Sequence, residues 1–186
     1  MTSPDIIIIG SGIGGATMAA TLAATGKRIL ILERGEHLAP SAQDRSDKAI
    51  FADGFFRPKE EWLDGAGKPF NPGNYYYVGG NSKFYGAVLV RYRREDFAPL
   101  SHIGGTTPGW PMSYDDLEPY YGQAEKLYEV RGQIGQDPTE PPHSTAYSHP
   151  PVPDEPPIAA LRKRLTSVGL HPSSLPLGVD LPQWLA

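Results

Sequence analysis

The first 35 residues show the most regular pattern of apolar and polar positions in the chain. An almost unbroken β-branched run over Asp5–Ile9 is typical of a strand buried on both faces of a parallel sheet. A glycine-rich turn and the small helix formers of Ala16–Thr25 follow, with Gly26 placed where a helix would end. A second apolar strand is predicted over Arg28–Leu32. This order of elements predicts one βαβ unit.

After this unit the pattern weakens. Between His37 and Asn74 charges, glycines and prolines break the periodicity, and we predict loop apart from a short helix around Arg45–Ala52. A second ordered block extends from Tyr75 to Asp96. Within it, the run Gly86–Val90 predicts a strand.

A helix is predicted over about Tyr114–Tyr128, because its apolar side chains recur at spacings of three and four. Ser113 can cap this helix, with Asp116 as the acidic partner of a capping box. Proline is tolerated mainly in the first turn of a helix, so Pro119 could move the start to Glu118.

The segment Asp137–Pro157 is rich in proline, which excludes a helix or a central strand there. A short amphipathic helix is predicted directly after it, with Gly169 at its end. Its apolar stripe consists of Ile158, Leu161, Leu165 and Val168.

Composition and charge narrow the classes of function. The net charge of −4 gives no electrostatic reason to expect a nucleic-acid partner. The apolar run near the start is far shorter than the ~18 residues that a membrane span needs, and it follows Met1 too closely for a signal peptide. We therefore expect a cytoplasmic protein without a membrane partner. The absence of cysteine excludes disulfides and thiolate chemistry.

The glycine-rich turn fits the pattern G-x-G-x-x-G, in which each glycine has its own physical reason. The first glycine allows the tight turn, the second lets the backbone approach a pyrophosphate, and the third lets the helix pack closely on the strands. The N-terminus of the following helix favours a bound anion. The predicted phosphate-binding residues are Gly10, Ser11, Gly12, Ile13, Gly14 and Gly15.

Glu33 ends the second predicted strand, where its carboxylate can accept hydrogen bonds from the ribose hydroxyls of an adenosine. Its charge would repel a ribose 2′-phosphate, which argues against NADP. Strand, turn, helix and acid together indicate a dinucleotide site, but they do not distinguish FAD from NAD.

Three stretches in the same order resemble the glucose–methanol–choline (GMC) oxidoreductase family. Ile6–Gly35 is similar to the family's N-terminal flavin motif, Tyr77–Val88 to its flavin-contacting loop, and Trp110–Tyr121 to the segment that follows this loop. The resemblance implies an α/β fold with a Rossmann-like FAD-binding domain that is incomplete in this chain, followed by the start of a substrate-side region.

The resemblance also extends the predicted cofactor site beyond the glycine-rich turn. It adds Arg34 beside Glu33, and the loop residues Gly79, Gly80, Asn81 and Ser82. Some sugar-oxidising relatives tether FAD to a histidine in this loop. Because no histidine occurs between Gly79 and Val90, we predict noncovalent FAD.

This loop departs from the family's usual residues at three positions. The family commonly has a small residue where Asn81 stands, an aliphatic one at Phe84, and Asn or His at Tyr85. The contacts that the Phe84–Tyr85 pair makes to a flavin are therefore not predicted.

We assign no catalytic residue and no metal site. In the GMC family the base is a histidine near the far C-terminus of a longer chain, and nothing here matches that motif. We interpret each histidine as solvated or incidentally hydrogen-bonded. These residues are His37, His102, His143, His149 and His171.

The resulting hypothesis divides the chain into the N-terminal part of an FAD-binding domain (1–131), a proline-rich connection (132–157) and the start of a substrate-side region (158–186). The whole enzyme would oxidise an alcohol, such as a sugar or polyol, by hydride transfer to flavin, and this chain alone would be inactive. The expected partners are the alcohol and the remainder of the enzyme, in the same or a second chain. Two alternatives stay open: an NAD-dependent Rossmann dehydrogenase, and a non-catalytic nucleotide-binding or assembly subunit.

Overall fold

The structure is a computed structural model, and it describes residues 3–84 and 86–180. The chain forms two compact units, Met1–Tyr85 and Gly86–Ala186. This division falls inside the predicted first domain. The functional boundaries at residues 131 and 157 stay predictions, because they concern cofactor and substrate rather than compactness.

The first unit begins with the predicted βαβ unit. Strand β1 (Ile6–Ile9) pairs in parallel with β2 (Ile29–Leu32), with Ile6 opposite Ile29 and Ile9 opposite Leu32. Helix α1 (Ile13–Ala23) connects them. It starts three residues before the predicted Ala16, because the glycine turn itself enters the helix. The α/β, Rossmann-like class is confirmed.

The prediction that β1 is buried on both faces is wrong for the described chain. Ile8 is buried, whereas Ile7 is 56% and Ile9 is 86% exposed. Alternate side chains of a strand point to opposite faces. Ile8 points towards the Gly15 backbone of α1, and the sheet of β1 and β2 leaves the other face open to solvent.

The remainder of the first unit has more structure than the predicted loop. A 3₁₀-helix (Ala42–Arg45) and a single π-turn (Lys48–Ala52) occupy the region of the predicted helix. Strands β3 (Trp62–Leu63) and β4 (Pro69–Phe70) form an antiparallel hairpin that the sequence pattern did not indicate. A 3₁₀-helix (Gly80–Phe84) follows the glycine pair.

The second unit contains a 3₁₀-helix (Arg94–Phe97), an antiparallel hairpin and two helices. The hairpin pairs β5 (Leu100–His102) with β6 (Gly105–Thr107). Helix α2 is Tyr114–Leu127, and α3 is Pro156–Ser167. The two predicted helices are therefore present. The exclusion of a helix from Asp137–Pro157 is wrong at its last two residues, because Pro156 and Pro157 form the first turn of α3, where proline is tolerated.

Helix α2 begins at its predicted cap. The Ser113 hydroxyl accepts a hydrogen bond from the Asp116 N–H, and the Ser113 N–H donates to the Asp116 carboxylate at 2.8 Å. The alternative start at Glu118 is wrong, because this capping box holds the helix start at Tyr114 and Pro119 is accommodated inside the helix.

The predicted strand Gly86–Val90 is not formed. Val88 makes a single antiparallel bridge with Leu177, where the Leu89 N–H donates to the Pro176 carbonyl at 2.9 Å. Pro176 has no N–H to donate to a ladder, and Ala87 has a φ of 59°. Both features interrupt regular pairing.

The centre of the second unit is a buried ion pair. The Arg91 side chain is 1% exposed, and its Nε and Nη2 donate to the Glu125 carboxylate at 2.6 and 2.7 Å. Its Nη1 donates to the Tyr114 hydroxyl at 2.8 Å and to Glu118 at 3.0 Å. Burial alone would lower the pKa of Arg91, but the hydrogen bonds with Glu125, Tyr114 and Glu118 outweigh it and raise the pKa.

His143 of the proline-rich segment belongs to the same cluster. Its side chain is fully buried, with Nε2 3.0 Å from Glu140 and Nδ1 3.9 Å from Glu125. Burial and then the charge of Arg91 lower the pKa of His143. The interpretation of this histidine as solvated is therefore wrong, because the proline-rich segment packs its ring against the Tyr147 ring.

Candidate functional site

The glycine-rich turn lies between β1 and α1, and two of its glycines are required by the protein itself. Gly10 has a φ of 92°, which residues with a side chain rarely adopt. A Cβ on Gly15 would clash with the Gly10 carbonyl and lie 3.2 Å from Ile8 Cγ2. These positions hold the turn against the strand as the motif predicts.

Gly12 differs from them. Its backbone is extended, with φ −62° and ψ −179°. Among the described residues, a Cβ there would meet only the Gly79 carbonyl oxygen, at an ordinary distance of 3.8 Å. The fold therefore tolerates a side chain at Gly12, and the reason for a glycine must be sought in a bound group. Gly14 is likewise unobstructed in the described chain.

The N-terminus of α1 faces this turn without acidic residues in its first turn. Its cap is Gly12, whose carbonyl accepts the first helical bond from Ala16 at 2.9 Å. The N–H groups of the first turn have no partner within a helix, and the helix dipole makes this end positive. Gly12 is half-buried, and Ile13 and Gly14 are exposed, so an anion can reach these groups.

Glu33 lies beside the turn, as predicted. Its Oε2 accepts hydrogen bonds from the Ser11 hydroxyl at 2.7 Å and the Ser11 N–H at 2.8 Å, and its Oε1 accepts one from the Gly35 N–H at 2.9 Å. The Ser11 hydroxyl, followed by the N–H groups of Ser11 and Gly35, lowers the pKa of Glu33 to about 2. The carboxylate is therefore ionised at neutral pH.

The loop that carries the second glycine pair contacts the turn. The Gly79 N–H donates to the Ser11 hydroxyl at 2.9 Å, and a Cβ on Gly80 would lie 3.8 Å from Gly12 Cα. The loop is attached to the segment that follows β2, because the Val78 N–H donates to the Glu36 carbonyl at 3.0 Å. The structure thus brings the two predicted glycine motifs together.

Asn81 and Ser82 are engaged inside their own loop. The Asn81 side-chain oxygen accepts from the Tyr75 N–H at 2.8 Å, and the Ser82 hydroxyl donates to the Gly79 carbonyl at 2.6 Å. Arg34 stacks on the Tyr76 ring at 3.7 Å. In this arrangement the three side chains support the shape of the site.

Aromatic packing holds the 3₁₀-helix Gly80–Phe84 in place. The Phe84 ring lies 4.3 Å from the Tyr75 ring and 4.9 Å from the Phe56 ring, measured between centroids. Phe56 is buried. The unusual Phe84 therefore has a structural reason, which sequence reasoning missed because Phe56 is distant in the chain. Its neighbour Tyr85 lies outside the described residues.

Metal-ligand clusters and membrane-spanning helices are both absent from the described residues, 3–84 and 86–180. No group of three or more His, Asp or Glu side chains is arranged there to hold a metal ion. None of the helices there has the length and apolarity to cross a membrane.

The similarities of this chain to known proteins agree with this geometry. Residues 8–75 match the family of NAD(P)-binding Rossmann-like domains. The chain is 34% identical over 184 residues to 6'''-hydroxyparomomycin C oxidase of Streptomyces lividus. This alignment covers 95% of the chain and 32% of that protein. Paromamine 6'-oxidase of Streptomyces fradiae is 32% identical, with 95% of the chain and 31% of that protein covered. The chain belongs to the GMC oxidoreductase family.

Other relatives agree with the GMC assignment. 2-Methyl-1,2-propanediol dehydrogenase of Mycolicibacterium austroafricanum is 30% identical, over 80% of this chain and 28% of that protein. Among solved structures, pyridoxine 4-oxidase from Mesorbium loti aligns with a TM-score of 0.55 at 20% identity, over 96% of this chain and 37% of that one. At this identity the structural likeness supports the fold. The GMC chain described here spans about a third of the length of these relatives.

Proposed function

We propose that this chain binds FAD without a covalent bond and forms the N-terminal part of an enzyme that oxidises an alcohol by hydride transfer to flavin. The observation that carries the proposal is the meeting of the Gly10–Gly15 turn, Glu33 and the Gly79–Gly80 pair at one place. The first two are the parts of a dinucleotide site, and the third is the loop that resembles the family's flavin loop.

The residues present fit the adenosine diphosphate half of FAD. The backbone N–H groups at the start of α1 would hold the pyrophosphate, and the open position at Gly12 leaves room for it. Glu33 is held ionised, and its Oε1, which bears fewer hydrogen bonds than Oε2, can accept one from a ribose hydroxyl. When bound, FAD supplies the hydride acceptor, while the described residues hold and orient its adenosine end.

The substrate class and the noncovalent attachment of FAD are inferred from further observations. Two relatives are named as 6'''-hydroxyparomomycin C oxidase and paromamine 6'-oxidase, and one as 2-methyl-1,2-propanediol dehydrogenase, which supports an alcohol substrate such as a sugar or polyol. The absence of histidine from Gly79 to Val90 supports untethered FAD. The chain would act with the remainder of the enzyme, in the cytoplasm.

The direct test is Gly12→Val. Because Gly12 is extended and a Cβ there meets only the Gly79 carbonyl oxygen among the described residues, at 3.8 Å, the variant should fold, and its branched side chain should occupy the pyrophosphate position. We expect FAD affinity to fall roughly 100-fold, about 2.7 kcal/mol, measured by quenching of flavin fluorescence in a titration.

Gly65→Val is the matched control. It places the same side chain in the same unit, at a position where nothing described lies within 4 Å of a Cβ, and it should leave FAD affinity unchanged. Normal FAD binding by Gly12→Val would contradict the proposed phosphate site.

An NAD site is the second candidate, because residues 8–75 match NAD(P)-binding Rossmann-like domains. Glu33 suits the free ribose of NAD as well as that of FAD. The same titration with NAD separates the two: tight binding of NAD with weak binding of FAD would favour this candidate.

A further inference from the structure

The Ser11 hydroxyl joins three separate segments of the first unit. It donates to Glu33 Oε2 at 2.7 Å and accepts from the Gly79 N–H at 2.9 Å, while it belongs to the glycine-rich turn. Glu33 is 22 positions away in the chain, and Gly79 is 68. One side-chain oxygen thus connects the glycine-rich turn, Glu33 and the loop that carries Gly79 and Gly80.

Ser11 serves the protein rather than a ligand in this arrangement. Its N–H is also donated to Glu33 Oε2, at 2.8 Å. Oε2 accepts two hydrogen bonds from Ser11, whereas Oε1 accepts one from the Gly35 N–H. The Arg34 N–H also contributes to the low pKa of this carboxyl. Because Ser11 occupies both lone pairs of Oε2, Oε1 is the oxygen that would accept from a ribose hydroxyl.

The hydroxyl has a specific consequence that the backbone alone cannot supply. An alanine at this position would keep the N–H bond to Glu33, but it would remove a charge-assisted hydrogen bond and leave the Gly79 N–H without its acceptor. Gly79 has a φ of 96° and a half-buried backbone. The hydrogen bond from its N–H to the Ser11 hydroxyl helps to hold this conformation.

We propose that Ser11 is a positioning residue that sets the Glu33 carboxylate and the Gly79–Gly80 loop in the arrangement that FAD binding requires. The inference rests on the proposed FAD site and deepens it. Ser11 acts through these two partners, by orienting Oε1 towards the ribose and by holding the loop beside Gly12.

The first test measures the link without cofactor. In the full chain, Ser11→Ala should accelerate amide hydrogen exchange at Gly79 by about 10-fold, since a hydrogen bond of this kind contributes about 1.4 kcal/mol. Ser11→Thr retains a hydroxyl and should keep the protection. Thr21→Ala is the matched control, because it removes an exposed hydroxyl that donates to the Thr17 carbonyl within α1.

The second test measures FAD affinity for the same variants and for Glu33→Gln. Ser11→Ala should weaken FAD binding about 10-fold, with recovery in Ser11→Thr and no change in Thr21→Ala. If Ser11 acts partly through Glu33, adding Ser11→Ala to Glu33→Gln should cost clearly less than 10-fold. A purely structural role would give the same loss in both backgrounds.

The outcomes separate the inference from the proposed function. If the wild-type chain binds FAD, and Ser11→Ala leaves the FAD affinity or the Gly79 exchange rate unchanged, the inference is overturned. The proposed FAD site is not contradicted by that result. Equal losses in both Glu33 backgrounds overturn the action through Glu33. A wild-type chain that binds no FAD contradicts the proposed function and the inference together.

Discussion

The two units of the chain differ in the side chains that their central elements bury. In the first unit, residues of the βαβ core such as Ile9 and Leu32 are exposed, and every residue of α1 is at least partly accessible. In the second unit, a charged pair is buried: Arg91 is 7% and Glu125 is 5% exposed as whole residues. Backbone geometry organises the first unit, and side-chain charge organises the second.

This difference determines whether a substitution in each unit mainly affects ligand binding or stability. The site in the first unit is built from glycine conformations and backbone N–H groups, so single side chains there affect ligand binding more than stability. The second unit buries hydrogen-bonded charges together with apolar side chains such as Phe97 and Val130. Loss of one partner leaves the other buried without compensation, which is far costlier than loss of a surface pair.

The largest predicted effect is therefore in the second unit. Arg91→Ala should lower the free energy of unfolding by about 3–5 kcal/mol, because it leaves Glu125 buried and unpaired. Urea unfolding, followed through amide signals of α1 and α2, records the two units separately. The α2 signals should carry the loss.

Arg94→Ala is the control for this prediction. Arg94 pairs with Asp115 at 2.6 Å, but both side chains are about half exposed or more, so the loss should be about 0–1 kcal/mol. Equal effects of the two variants would contradict the contrast between buried and surface charge.

A smaller effect concerns pH. The folded state holds the pKa of His143 below its ordinary value of 6.5, so the unfolded chain binds a proton more readily. This contribution to stability is fully present above about pH 6.5 and is lost as the pH falls below it. Glu140, Glu125, Arg91 and Tyr147 face the ring from the packed segments.

The pH effect is checked by urea unfolding at pH values on either side of 6.5. His143→Gln should remove part of the acid-induced loss of stability, whereas the exposed His171→Gln should leave it unchanged. Wild-type and His143→Gln curves of equal pH dependence would show that His143 does not contribute.

The sequence predicted the parts of the fold that depend on neighbours in the chain. The βαβ order, the Ser113 cap and the helix end near Gly169 follow from local periodicity and capping. The prediction failed where contacts with residues distant in the chain determine the structure. Among the described residues, Gly86–Val90 pairs with the distant Leu177 at a single bridge that Pro176 interrupts, and the burial of β1 depends on groups that local pattern does not reveal.

The candidate site shows the same limit. The glycine motif and Glu33 were found from their spacing, and the structure brings them together. The link from Ser11 to Gly79 was missed, because no spacing rule connects residues so far apart. The Arg91 cluster was missed because charged residues are seldom fully buried, and a pairing of Arg91 with Glu125 has no sequence signal.

The most direct measurement of the central claim is the visible absorption spectrum of the purified chain after incubation with FAD and removal of unbound ligand. Noncovalent binding predicts that the flavin bands stay with the folded protein. After denaturation, these bands should pass into the filtrate. Bands that stay with the denatured protein would contradict the noncovalent site. A colourless protein would contradict FAD binding by this chain.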